Sequence, residues 1–221
     1  LAWRVRLGTE VLDQAGRLVP EDLDVAVQET ARYVSRGGDK LESWFRVHPW
    51  DLAGKRFLDV GASTGGFSDF LLQHGAAEGT CLDVGHGQLH YRLRTDQRIT
   101  NLERINARHL QPGQLPHPAY PIIVMDLSFI SLRTVLPRVW PVLEAGGLMV
   151  ALVKPQFEAG REEADRARGV ITDEAVRRRV LGEILDFVAG ELAGSRLLGW
   201  VESAVAGTSG NREYLAGWTR E

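Results

Sequence analysis

The sequence has almost no cysteine, no long apolar run and no strong excess of either charge. Its one cysteine among 221 residues is Cys81, which excludes an intramolecular disulfide and any cysteine-built zinc site. A single thiol suits a reducing cytoplasm, the expected compartment. No stretch approaches the ~18 consecutive apolar residues of a membrane span, since the longest run, near Gly146–Val153, has strand length. The opening LAWRVRLG carries no signal-peptide core. With a formal charge of −3, the chain as a whole is no obvious polyanion binder, but charge also acts locally. Arg92, Arg94, Arg98, Arg104 and Arg108 outnumber Asp96 and Glu103, and Arg32, Arg36, Lys40 and Arg46 form a second basic stretch beside Asp39 and Glu42. A content of 44% hydrophobic and 25% charged residues is ordinary for a globular chain. The length suits one domain over residues 31–221 with a small appendage, residues 1–30, ahead of it.

What is present is a strand and helix alternation that sets in at residue 55. Lys55–Val60 reads as a strand ending at Gly61, and Phe67, Phe70 and Leu71 recur at helical spacing before Gly75. Glu78–Val84, Ile99–Leu102 and Ile122–Met125 read as further strands. Leu132–Leu143 reads as a helix that Pro137 and Pro141 make irregular, and Leu148–Val153 follows as a fifth strand. Thr172 is expected to cap a helix bearing Val176, Val180, Ile184 and Val188 on one face. Arg196–Val205 and Glu213–Trp218 close the chain as two strands. Apolar strands alternating with helices imply an α/β fold, with a mostly parallel twisted sheet, helices on both faces and an antiparallel C-terminal strand pair. The first thirty residues read as short β-pieces broken by Gly8, Gly16 and Pro20-Glu21-Asp22, the end of a small domain or an arm.

The chemistry gathers at the ends of the expected strands. Asp59-Val-Gly61-Ala-Ser63-Thr-Gly65-Gly66 follows a strand and opens a helix, where backbone N–H groups can face a ligand. It lacks the Gly-Lys-Ser/Thr of a phosphate loop and the spacing of a dinucleotide loop. Asp-x-Gly-x-x-x-Gly in this place is the loop of class I S-adenosylmethionine-dependent methyltransferases, and its acid suits a cationic ligand. Asp83, 22 residues after Gly61, sits where an acid bonds ribose hydroxyls. Asp126 ends the fourth strand in an Asp-Leu-Ser-Phe sequence. It lacks the Pro-Pro-Tyr of amino-group methyltransferases, and Cys81 is on the wrong strand to attack a base carbon. An oxygen acceptor remains. Lys154 ends the fifth strand in the same layer, where a lysine is costly unless paired and could take a proton from a hydroxyl.

Five motifs together carry a resemblance to a family. They are Ser35-Arg-Gly-Gly-Asp-Lys40-Leu, Leu58-Asp-Val-Gly-Ala-Ser-Thr-Gly-Gly-Phe67, Leu82-Asp-Val-Gly-His-Gly-Gln-Leu89, Met125-Asp-Leu-Ser-Phe-Ile130 and Val153-Lys-Pro-Gln-Phe-Glu158. Residues 31 to about 220 thereby resemble the TlyA family, labelled haemolysin A, which are FtsJ-like ribosomal RNA 2′-O-methyltransferases. The resemblance implies a class I methyltransferase Rossmann-like fold and a Lys-Asp-Lys-Glu tetrad, which falls by motif on Lys40, Asp126, Lys154 and Glu202. It implies S-adenosyl-L-methionine as cofactor, held by Asp59, Gly61, Ser63, Gly65, Gly66, Asp83, Asn106 and Asp126. The implied partners are ribosomal RNA or ribosomal subunits, with no membrane and no metal. Family members carry a small RNA-binding domain of the ribosomal S-four type ahead of the methyltransferase, and Arg4–Val27 corresponds to its end. Two other readings are open on the sequence, a methyltransferase of a small-molecule hydroxyl and a non-catalytic RNA-binding or ribosome-assembly module. The haemolysin label finds no membrane span and no strongly basic amphipathic helix.

Overall fold

A computed structural model describes residues 5–7, 10–12, 26–27, 31–160, 163, 167–207 and 210–221. The chain divides into two compact units, Leu1–Arg32 and Tyr33–Glu221. In the first, β1 (Val5–Leu7) pairs antiparallel with both β2 (Glu10–Leu12) and β3 (Ala26–Val27). The turns expected at Gly8, Gly16 and Pro20-Glu21-Asp22 lie outside the described residues.

The second unit is built on a seven-stranded sheet. Its strands are β4 (Arg56–Val60), β5 (Glu78–Leu82), β6 (Ile99–Leu102), β7 (Tyr120–Met125), β8 (Leu143–Val153), β9 (Ser195–Glu202) and β10 (Tyr214–Arg220). The spatial order is β6-β5-β4-β7-β8-β10-β9. The first five run parallel and β10 pairs antiparallel with β8 and β9. Because strand side chains alternate faces, the continuous apolar runs of β7 and β8 serve two cores. Ile123, Met125, Met149, Ala151 and Val153 meet α4 (Leu132–Val139) and α6 (Glu174–Glu191) on one face. Ile122, Val124, Leu148, Val150 and Leu152 meet α1 (Arg36–Val47) and α2 (Gly66–Gln73) on the other. Two short helices, α3 (Tyr91–Arg94) and α5 (Pro155–Glu158), sit just beyond strand ends.

The sheet order reverses between β4 and β7, since the chain first builds outward through β5 and β6 and then returns. Ligands of open α/β sheets bind at such a switch point, beyond the carboxyl ends of the strands. Asp59 to Gly66, Asp83, Asp126 and Lys154 all fall there.

Local details depart from the sequence reading. The helix expected to Leu143 stops at Val139; Trp140–Val142 tighten to a 3₁₀ turn at Pro141, and β8 begins at Leu143 instead of Leu148. A register shift between Tyr120 and Ile122 absorbs the extra residues around Gly146. Asp173, one residue after Thr172, caps α6, its side chain accepting from the Ala175 N–H at 2.8 Å. Val176 is only half-buried, while Val180, Leu181, Ile184 and Val188 form the packed face.

Candidate active site

The loop after β4 is shaped by close approach. Gly61 has φ +82, and a Cβ there would run into the Asp126 carbonyl, because the Asp126 N–H donates to the Val60 carbonyl at 3.2 Å. That contact draws the ends of β4 and β7 together. Gly66 has no room for a side chain because Ser35, just ahead of α1, packs on it. Gly65 has φ +91, the Leu93 side chain leaves no room for a Cβ there, and it lines neither of the two hollows around this loop.

Two hollows open around this loop. One, of about 300 Å³, is lined by Ser63, Asp83, Asn106, Asp126 and Phe129, with Leu82, Ile105 and Val135 beneath. The other, of about 210 Å³, is more polar and is lined by Ser35, Lys40, Asp59, Ser128 and Lys154. Gly61, Ser63, Asp126 and Ser128 border both. A further hollow, about 400 Å³ between α1, Trp50 and α2, contains no candidate residue.

Each acid has a distinct environment. Asp83 accepts from the Ser63 N–H (2.8 Å) on one oxygen and the Gly85 N–H (2.7 Å) on the other, so it knits the first two strand-end loops together and still edges the larger hollow. Asn106 does so too while its Oδ1 accepts from the Arg108 N–H at 3.0 Å. Asp59 is fully buried. Its Oδ2 accepts from the Ser68 hydroxyl (2.7 Å) and N–H (3.1 Å), and its Oδ1 has no partner among the described residues. Burial, reinforced by the charges of Asp126 and Asp83, pushes the Asp59 carboxyl up to about 7, against the pull of the Ser68 bonds.

Lys154 and Lys40 enter the polar hollow from opposite parts of the sequence, and both are buried. Lys154 Nζ lies 2.6 Å from Asp126 Oδ1 and donates to Ser128 Oγ at 2.9 Å. Lys40 Nζ lies 2.6 Å from Glu213 Oε2, and Gln156 Nε2 donates to the other oxygen of Glu213 at 3.4 Å. The expected fourth acid, Glu202, is elsewhere. It ends the edge strand β9, is 42% exposed and pairs with Arg212 at 3.0 Å. Glu213 takes the place instead. The pairing of Tyr214 with Val153 sets Glu213 beside the end of β8, where Lys154 begins the next turn, and it is 2% exposed. A sequence signal for it existed: a lone acid directly ahead of the apolar run Tyr214–Ala216 is as costly as Lys154 unless paired. Among the described residues, no group of three or more His, Cys, Asp or Glu is placed to hold a metal ion, and no helix is long and apolar enough to cross a membrane.

The FtsJ-like methyltransferase family matches residues 33–220. The 16S/23S rRNA (cytidine-2′-O)-methyltransferase TlyA of Mycobacterium tuberculosis is 42% identical over 198 residues, 90% of this chain and 72% of that protein. Hemolysin A of Brachyspira hyodysenteriae is 37% identical over 209 residues, 95% and 85% of the two chains. A hemolysin-labelled protein of Lactococcus lactis, solved by crystallography, superposes with a TM-score of 0.82 at 38% identity, covering 87% of this chain and 90% of that one.

Proposed function

The chain belongs to the FtsJ-like methyltransferase family, and from that premise we propose that it transfers a methyl group from S-adenosylmethionine to a ribose 2′-hydroxyl of ribosomal RNA. One observation carries the reading: a single polar hollow receives two lysines, Lys40 and Lys154, each held by a carboxylate. It adjoins a second, partly apolar hollow edged by Asp83. The Mycobacterium tuberculosis relative is named for modifying the 2′-oxygen of cytidine in 16S and 23S rRNA, and this site supports the same class of acceptor here.

The residues fit the cofactor. Asp83, Asn106 and Ser63 would hold its nucleoside, and the unpartnered Oδ1 of Asp59 suits its ammonium group. When bound, S-adenosylmethionine supplies an electrophilic methyl on a sulfonium. The chain's own residues must then orient the acceptor oxygen and accept its proton. With Asp126 and Ser128 occupying two of its N–H bonds, Lys154 keeps a third for the acceptor. The Lys154–Asp126 pair can take the hydroxyl proton as a unit: Nζ first passes one proton to Asp126, and the neutral amine then turns its freed lone pair to accept the proton that the hydroxyl loses as its oxygen takes the methyl. Lys40, fixed by Glu213, suits an adjoining phosphate.

RNA supplies the rest. Arg36, Arg92 and Arg94 are exposed around the site, so RNA binding should weaken steeply with salt. Residues 1–30, the end of a small RNA-binding domain on this reading, would add to that grip, and a ribosomal substrate sets the work in the cytoplasm. Phe129 stands at the rim of the larger hollow with φ +63 and 89% exposure. Such a ring offers a stacking surface to a base turned out of its helix.

The reading is tested with unmodified ribosomal subunits carrying a single 2′-deoxy substitution at the nucleotide that becomes methylated. Binding should survive and methyl transfer should vanish, because only the acceptor oxygen is missing. Continued methylation of that nucleotide would put the methyl on its base and overturn the assignment.

Cofactor binding should also depend on pH through Asp59. A ligand ammonium beside Asp59 favours the ionised carboxylate, whereas the free protein holds its proton up to about pH 7. Affinity for S-adenosylhomocysteine should therefore rise as pH rises through 7 and level off above it, with a limiting slope of about tenfold per pH unit below 7. Calorimetry from pH 5.5 to 8.5 (a range set by the ~7 midpoint) measures this, and Asp59→Asn should flatten the slope. The effect on folding has the opposite sign. A carboxyl raised above its unfolded value of 3.8 withdraws stability as pH rises from about 4 to 7, so Asp59→Asn should stabilise the protein at pH 8 and not at pH 4.

A further inference from the structure

The segments that leave β7 and β8 are fastened to each other at three points. Lys154 bonds Asp126 and Ser128. The rings of Phe129 and Phe157 lie 5.0 Å apart at 48°. Beyond them Glu158, which is 6% exposed, accepts from the Ser131 hydroxyl at 2.6 Å on Oε2 and from the Leu132 N–H at 2.7 Å on Oε1. The first two of these fastenings border the site, with Lys154 in the polar hollow and Phe129 at the rim of the other. Glu158 lines neither hollow, yet it closes the loop Asp126–Ser131 at its far end, and Ser131 in turn caps α4 through the Arg133 N–H.

The loop needs that closure. Phe129 has positive φ without being glycine, a conformation that costs about 1–3 kcal/mol and persists only where neighbours impose it. The ring is almost wholly exposed, and its contact with Phe157 buries too little of it to impose that conformation alone. The Glu158 carboxylate takes two strong hydrogen bonds just two and three residues further on, the nearest such restraint on the C-terminal side. Charge-assisted bonds donated to a buried carboxylate are among the stronger restraints available to a backbone.

We propose that Glu158 is a positioning residue for the methyl acceptor: by clamping Ser131 and Leu132 it holds Phe129 in the conformation that receives the target nucleotide. The inference rests on the RNA reading above for the word nucleotide, and on contacts within the protein for the clamp.

Glu158→Ala removes the clamp. Glu158→Gln keeps the shape, an acceptor for Leu132 and a donor that the Ser131 hydroxyl can receive. In E158A the single-turnover rate on unmodified ribosomal subunits should fall about tenfold to a hundredfold, the size of losing one base–aromatic stack. Affinity for S-adenosylhomocysteine should stay within about twofold, and E158Q should recover most of the rate. The decisive arm is a double-mutant cycle with Phe129→Leu: in that background E158A should cost little more, because both changes remove the same function. Additive losses, or a parallel loss of cofactor affinity, would reduce Glu158 to a general stabiliser and overturn the proposal. A substrate-free arm separates this failure from failure of the RNA reading. With fluorophenylalanine incorporated, the fluorine resonance of Phe129, assigned through F129L, should move toward its free-chain position in a clamp mutant and stay in place in E158Q. Should E158A not fold, Ser131→Ala, which removes one of the two clamp bonds, serves both arms with a smaller shift in the same direction; an unmoved resonance overturns the proposal.

Discussion

Lys154→Met should leave a folded protein that binds S-adenosylhomocysteine within about threefold of wild type and transfers methyl about a thousandfold more slowly, the middle to upper range for a positioned acid–base group. Methionine preserves most of the buried stem, so the buried volume is nearly kept. What is lost is the cation held 2.6 Å from Asp126 Oδ1 and 2.9 Å from Ser128 Oγ. Asp126 retains access to water, its side chain being 25% exposed, so the orphaned carboxylate costs less than a fully buried one would. Single-turnover transfer to unmodified subunits and calorimetry on the same preparation separate the two effects. A rate within a few-fold of wild type would mean that neither the acceptor oxygen nor its proton depends on this amine.

Glu213→Ala should do two things at once. It strands Lys40, whose side chain is 10% exposed, as a buried charge without its partner, which costs about 3–5 kcal/mol of stability. For a unit of this size that corresponds to a fall in Tm of roughly 10 °C. It also frees Lys40 to move, and methyl transfer should fall by about a hundredfold or more. Glu202→Ala is the matched control. Its partner Arg212 is 60% exposed, and a surface ion pair contributes little, so both Tm and rate should stay close to wild type. Thermal unfolding and single-turnover rates on the two variants decide between the acids. If Glu202→Ala proved the more damaging change, the assignment of Glu213 to the site would be wrong.

The contrast between those two glutamates marks where the sequence stops being legible. Asp59, Asp83, Asp126 and Lys154 could be read because each ends an apolar strand, and parallel strands of one sheet deliver their C-terminal ends to one edge. Lys40 came only by resemblance, since a lysine four residues into a helix has no local feature that marks it. Glu202 and Glu213 flank one loop at the ends of two antiparallel strands. Which of them reaches the site depends on which strand lies next to β8, and neighbours in a sheet need not be neighbours in the chain. Here β10 takes the inner place and β9 the edge, so the later acid is buried and the earlier one exposed. Gly65 shows a related ambiguity. A glycine chosen for the backbone it allows looks the same in sequence as one chosen for the ligand it admits.

Sequence alone thus determined the alternation of elements, the parallel sheet buried on both faces and the strand ends where the candidate site residues gather. These rest on periodicity and on local chain chemistry, which act over a few residues. The tertiary structure decided the pairing of Lys40 with Glu213 across 173 positions, the orphaned oxygen of Asp59, and the clamp of Glu158 on Ser131 and Leu132. Each of these is a contact between segments whose nearness is set by strand order and helix packing, and the free energy of burying a charge or a polar atom is fixed only once that packing exists.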